Sequence, residues 1–587
     1  MKMLGCALLV ATVCPFAVAQ TAAVAPVGER VAAQNALFEE FYQLGLKNSP
    51  ERATSIGDYR YNNQLSDASL AAVVRQHAES DAFLARLRAI PTTGMPDSDW
   101  LSHELLERRL VQADVGYELK NYEMAINQQN GTHTELADLP LSVPLDSVQH
   151  YEDYIARLHQ IPRVLTQTTE VLRQGVKDGL MPPKFILEKL PAQCEGIIAA
   201  DPFLLPLKKF PASFSDADKQ RLTAAMSKAV NEEVLPAYRD FAAFLSKEYA
   251  PHGRTAISVE SLPDGKHRYA VAVQTMTTVN ITPAAVHQLG LAEVARITAE
   301  MTKLAEAQGY KDLASFRAAI NGDPKWTPKS EQQIVDDFAK YIHQMEPKLP
   351  QLFTVLPKGP VTVEPIPDFD AAASTHYNSG TPDGRRAGRV VVAVAKPTTR
   401  TLVLDEAVAY HEGVPGHHMQ ISVAQQLQGL PKFRLRGGYS AYTEGWALYA
   451  EELGKEVGFY TDPVSDYGRL NSELFRAVRL VVDTGIHDKG WTRDQVIAYM
   501  HANDVNDALA QTETDRYIAW PGQALAYKMG QLKIRELRDP AKQQLGERFD
   551  IRAFHDEILS GGAMPLDLLD LRTDRWIKGQ LPVNARR

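Results

Sequence analysis

Apolar residues recur every three or four positions through long stretches of this chain, and that spacing restricts it to a mostly α fold. The clearest runs are "VAAQNALFEEFYQLGLK" from Val31, "SDWLSHELLERRLVQADVGYELKNYEMAI" from Ser98 and "DADKQRLTAAMSKAVNEEVLPAYRDFAAFLSKEY" from Asp216. Strand-like segments are few. "RYAVAVQTMTT" from Arg268 and "GRVVVAV" from Gly388 carry β-branched residues, and turn-rich "YNSGTPDGRRAG" precedes the second. "GRVVVAV" is expected either to pack in the core or to offer an edge to an extended peptide. Two regions follow, an N-terminal helical one over residues 20–260 and a motif-bearing one over 261–587, with helices crossing between them. No internal repeat appears, and only "TAAVAPVGER" reads as a flexible tether.

Residues 1–19 read as a secretory leader: an early lysine, an apolar run too short to span a bilayer, then Ala17-Val18-Ala19 as a cleavage signal. A periplasmic or secreted protein is expected, with no stable membrane insertion. Cys6 and Cys14 depart with that leader; lipid attachment at Cys14 is the rival reading, disfavoured by Val13 before it. Cys194 then stands alone, so stability must come from the core rather than from an internal disulfide. The chain carries 63 basic and 72 acidic side chains, a net charge of −9, and loss of Lys2 makes it one unit more negative. That mixed, mildly acidic surface offers nucleic acid no footprint.

The chemistry concentrates in "TLVLDEAVAYHEGVPGHHMQISVAQQLQGL" from Thr401. A zinc-protease helix normally reads H-E-x-x-H, with two histidines one turn apart and a glutamate between them as general base. Here His411 and Glu412 begin the signature, but Pro415 stands where the second histidine belongs. His418, seven positions on, regains the direction of His411 but lies roughly 10 Å along a regular helix. His417 reaches the same metal only if the backbone is distorted. Gly413, Pro415 and Gly416 supply that distortion, which favours His417 and keeps His418 as the alternative. Glu444, opening "EGWALYAEELGKE", suits a third ligand from a later helix, although an acidic residue at a helix start also complements the dipole. Imidazole and carboxylate donors together favour Zn2+ over calcium or magnesium.

The segments "HEGVPGHHMQ", "YTEGWALYAEELG", "RAVRLVVDTGIHDKGWT" and "RYIAWPGQALAYKMG", with "PERATSIGDYRYNNQLSD" near the N-terminus, resemble the bacterial family named domain of unknown function 885 over nearly the whole mature chain. That family is grouped with zinc peptidases whose third ligand is glutamate, and more remotely it is similar to the helical clefts of angiotensin-converting enzyme and thimet oligopeptidase. The resemblance implies a mostly helical metallopeptidase cleft with a small β element beside the active site.

Arg479, Asp483 and His487 recur every fourth residue and form one stripe, opposite Leu470, Leu474 and Val478. The stripe reads either as a solvated face or, as the resemblance implies, as His487 stabilising an oxyanion with Asp483 orienting it. Tyr517 and Tyr527 are further candidate oxyanion donors on the same grounds. The expected activity is an exported zinc-dependent hydrolysis of short peptides, with Glu412 as general base. A metal-free periplasmic peptide-binding or scaffold protein and a zinc amidohydrolase acting on other amides are the alternatives. No serine lies in a G-x-S-x-G context, and Cys194 in "LPAQCEGI" lacks a papain-like setting, so a covalent nucleophile is not expected.

Overall fold

A computed structural model describes residues 25–366, 374–381, 386–435 and 438–581; the leader therefore lies outside the described residues. The architecture is mostly helical with one three-stranded mixed sheet among those residues. Helices α1 (Val27–Asn48), α2 (Leu70–Arg88) and α3 (Asp97–Glu118) open the chain. The tether expected at residues 21–30 is corrected at its end, because α1 begins at Val27 and buries Arg30, whose guanidinium bonds to backbone carbonyls. Residues 216–249 form a continuous helical rod with two wider, π-helical turns at Val230–Val234 and Leu245–Tyr249.

One apolar cluster is built entirely from residues between Leu65 and Ala250. A larger one joins Leu37, Phe38, Leu101 and Leu105 of α1 and α3 to Tyr410, Trp446 and Ile534 far along the chain. The first three helices thus brace the region that holds the motifs.

Helix α4 (Gly265–Thr277) corrects the strand expected from Arg268. Tyr269, Val273 and Thr277 are buried there, a repeat of four that marks one helical face; burial on that face outweighs the β propensity of its valines and threonines. Helices α5 (Pro283–Ala307) and α6 (Glu331–Met345) follow. Next come strands β1 (Val361–Pro365), β2 (His376–Asn378) and β3 (Gly388–Val392). The sheet order is β1-β3-β2, with β1 parallel and β2 antiparallel to β3. "GRVVVAV" is accordingly the central strand, hydrogen-bonded on both sides, so it has no edge for a peptide; Val390 and Val392 are fully buried.

Six helices then assemble the motifs: α7 (Asp405–Glu412), α8 (His417–Gln426), α9 (Ser440–Glu456), α10 (Pro463–His487), α11 (Asp507–Ala519) and α12 (Ala526–Leu545). Two glycine contacts set their approach. A Cβ on Gly445 of α9 would fall 2.3 Å from the Cα of Gly530 on α12, so these backbones touch directly beside Glu444. Gly290 of α5 lets that helix close on Leu480 and Val481 of α10 in the same way.

Candidate metal centre

The break between α7 and α8 does what a regular helix could not. The Gly413 N–H closes α7 on the Ala409 carbonyl at 2.9 Å, and the Gly416 N–H then returns to the Tyr410 carbonyl at 2.9 Å. The chain folds back on the end of α7 before α8 starts. A Cβ on Gly416 would stand 2.0 Å from the His411 carbonyl oxygen, which only glycine tolerates. The indole of Trp446 on α9 donates to the Pro415 carbonyl at 2.9 Å and ties the break to the helix that carries Glu444.

This fold-back places the His411 and His417 rings 4.9 Å apart and perpendicular. Each Nε2 lies 3.5 Å from Glu444 Oε2. Two atoms that bind one ion at about 2.0–2.1 Å with tetrahedral angles stand roughly 3.4 Å apart, so the donors have the separation a shared metal requires. His411, His417 and Glu444 form a group able to hold a metal ion. The outward nitrogens of the two rings differ. Nδ1–H of His411 donates to Glu451 Oε1 at 2.8 Å, which directs Nε2 toward the group. His417 Nδ1 is buried without a hydrogen-bond partner among the described residues, so that ring lacks the anchor His411 has.

Burial works against charge on His411, yet the carboxylates of Glu444 and Glu451 lift it to about 9, so a proton on Nε2 and a metal compete for the same lone pair between His411 and Glu444. Burial also opposes charge on Glu444, but hydrogen bonds to the two imidazoles hold it well below the usual carboxylate range. Glu412 is buried beside them and pushed up, chiefly by desolvation.

His418 is turned elsewhere. Its Nε2–H donates to the Gly359 carbonyl at 3.1 Å, and Nδ1 accepts from the Tyr377 hydroxyl of β2 at 2.9 Å. Burial pushes it down to about 4, so it is neutral and fully engaged. Its role is to fasten α8 to the sheet.

The α10 stripe is neither solvated nor arranged as expected. His487 is fully buried; Nδ1 accepts from the Val259 N–H at 3.1 Å and Nε2–H donates to the Tyr517 carbonyl at 3.0 Å. Burial holds it down to about 3, so it has no proton or lone pair to spare for a substrate. Asp483 does not touch it. Its carboxylate accepts from the Tyr269 hydroxyl at 2.7 Å and the Gly522 N–H at 3.0 Å, and burial raises it to about 7. The expected Asp483–His487 pair is therefore replaced by two separate pins between α10 and its neighbours. Arg479 and Tyr517 are brought together, Nε to the phenol oxygen at 3.0 Å, while the Tyr517 hydroxyl donates to Glu513 at 2.7 Å. The Tyr527 phenol is held protonated by burial and then by the charge of Glu444.

Glu451, Trp446 and Tyr377 were not singled out from the sequence. Glu451 was legible: it lies seven residues after Glu444, two turns along one helical face.

The bacterial family of unknown function DUF885 matches residues 50–572. No curated protein matches the chain. A candidate lipoprotein of Colwellia psychrerythraea is similar in structure, with 28% identity, a TM-score of 0.87 and coverage of 94% of this chain and 99% of that one. A candidate lipoprotein of unknown function from Shewanella oneidensis shares the fold at 20% identity and a TM-score of 0.70, covering 93% of this chain and 99% of that one.

Proposed function

The chain belongs to the DUF885 family, and from that footing we propose that it is an exported zinc-dependent peptidase acting on short peptides. The observation that carries the reading is the convergence of His411, His417 and Glu444 on one point, with Glu412 buried next to them. Two imidazoles and a carboxylate form the donor set of a hydrolytic zinc site, which keeps a coordination position open. Zinc, when bound there, supplies Lewis acidity toward a scissile carbonyl and lowers the pKa of water towards about 7.

The chain's own residues do the rest. Glu451 orients the His411 ring and selects its tautomer. Glu412, its pKa raised by burial, takes a proton from the attacking water and returns it to the leaving amine. Tyr527, kept protonated by burial and by the charge of Glu444, is the hydroxyl donor we assign to the developing oxyanion. His487 is released from that role because both its nitrogens hold backbone groups. The Glu444 side chain is 23% exposed and His411 only 3%, a recessed setting that favours flexible peptides over folded proteins. The leader and the lipoprotein relatives support delivery to the cell envelope, and no described helix is long and apolar enough to cross a membrane.

Peptide libraries incubated with the purified protein, before and after chelation and zinc replenishment, test the activity. Chelator-sensitive cleavage restored by zinc is expected. Stoichiometric zinc without cleavage of any peptide would turn the reading toward a different amide, and absence of metal toward a binding protein.

A further inference from the structure

Among the buried polar groups that the proposed chemistry does not use, Arg479 stands out by what it lacks. Its guanidinium is sandwiched between the rings of Phe475 and Tyr527, 4.4 and 4.5 Å from their centroids. Nε donates to the Tyr517 hydroxyl at 3.0 Å and Nη2 to Glu513 Oε2 at 3.0 Å. Nη1 is buried with no hydrogen-bond partner among the described residues, and Arg479 as a whole is 7% exposed.

Charge around it is also unbalanced. Glu513 is shared with a second guanidinium, since Arg516 donates to both its oxygens at 3.0 and 2.8 Å. Arg516 Nη1 turns instead to the amide oxygen of Gln523. The buried Arg479 and the partly buried Arg516 thus share the Glu513 carboxylate, with a neutral amide from Gln523 and only the longer-range charge of Asp483 beside them. A guanidinium keeps its proton under any condition the protein meets, and a buried cation short of partners is costly unless something returns the interaction.

The position says what. Tyr527, whose ring covers Arg479, lies on α12 one turn before Gly530, where that helix meets α9 at Gly445, the residue after Glu444. The ring of Tyr527 thus links Arg479 to the stretch of α12 that meets α9 next to Glu444.

We propose that Arg479, with Arg516 behind it, is a carboxylate anchor that binds an acidic group of the substrate, a free peptide C-terminus or an acidic side chain, next to the bond to be cleaved. Guanidinium donors match carboxylate oxygens in geometry, and a water-poor, aromatic-lined setting strengthens the contact. The proposal deepens the peptidase reading and rests on it for the identity of the substrate, but not for the existence of the anchor.

Binding separates the two. The Glu412→Gln variant, with its metal, is titrated calorimetrically with three alanine-based hexapeptides: neutral with a free C-terminus, neutral and amidated, and amidated with one internal glutamate. The free acid or the glutamate peptide is expected to bind at least tenfold tighter than the neutral amide, and which of the two does so identifies the source of the carboxylate. Adding Gln523→Glu, which is isosteric and gives Arg516 a charged partner, is expected to abolish that preference while the thermal transition is retained. Arg479→Lys is expected to weaken it. Equal binding of all three peptides, no binding of any, or an intact preference in Gln523→Glu overturns the anchor. A carboxylate preference without cleavage by the unsubstituted protein would instead overturn the peptidase and leave the anchor standing.

Discussion

Two stretches of this chain place histidines and acids close together, and the structure uses them in opposite ways. Along α10, Arg479, Asp483 and His487 follow a perfect helical repeat, and the helix is regular. Across α7 and α8, His411, Glu412 and His417 follow no repeat, and the helix is broken. In the regular stretch the polar atoms of Asp483 and His487 are taken up by backbone and side chains of neighbouring elements. In the broken one, the Nε2 atoms of the two imidazoles face a single carboxylate oxygen of Glu444. A regular repeat lets a helix pack its polar groups like any other face, whereas a convergent set of donors required the backbone to depart from the helix. Convergence of side chains on one point, rather than residue type, distinguishes the candidate centre from the pins made by Asp483 and His487.

The contrast can be broken most sharply at Glu412. Glu412→Gln preserves shape and removes the proton acceptor, so peptide turnover should fall by about 10²–10⁴-fold with zinc retained. Retained turnover in the variant, measured by mass spectrometry of cleavage products, would remove Glu412 from the mechanism. Glu451→Gln should weaken zinc binding by about 10–100-fold, read from competition with a chelator, because the His411 ring loses its charged partner. An unchanged affinity would mean that the ring is held by packing alone.

On the α10 side the expected losses are of stability, not of metal. His487→Ala leaves the Val259 N–H and the Tyr517 carbonyl without partners in a fully buried space, and should cost about 2–5 kcal/mol in denaturant unfolding while each folded molecule still binds zinc. Loss of zinc from the folded variant would return His487 to the site. Asp483 sharpens the same point through pH. Its pKa rises from 3.8 unfolded to about 7 folded, so the folded state prefers the protonated form. The unfolded chain gives up that proton first, and stability should fall as pH climbs from about 4 to about 7, by a few kcal/mol at most. Asp483→Asn should flatten that slope; a slope that persists would assign it to another group.

The mostly α class was legible because periodicity is a local signal and the helices are long. The sequence favours His417 over His418, which stays as the alternative, because Gly413, Pro415 and Gly416 allow the distortion that brings His417 round to His411. The strand expected at Arg268 failed because short apolar runs rich in valine and threonine satisfy both periods, and only the packing of Tyr269, Val273 and Thr277 against other helices decides. The Asp483–His487 pair failed for a related reason. Spacing places two side chains on one face, but their partners, Tyr269, Val259 and Gly522, come from distant parts of the chain that no local pattern reveals. The central place of "GRVVVAV" in its sheet is likewise a matter of long-range pairing.

Metal analysis of the purified protein beside its His417→Ala and His418→Ala variants addresses the assignment of the centre most directly. His417 and Glu444 share a point with His411, whereas His418 is held by Tyr377 and Gly359. One zinc per chain is predicted in the unsubstituted protein and in His418→Ala, and none in folded His417→Ala. Zinc retained without His417, or lost without His418 from a folded chain, would contradict the centre described above.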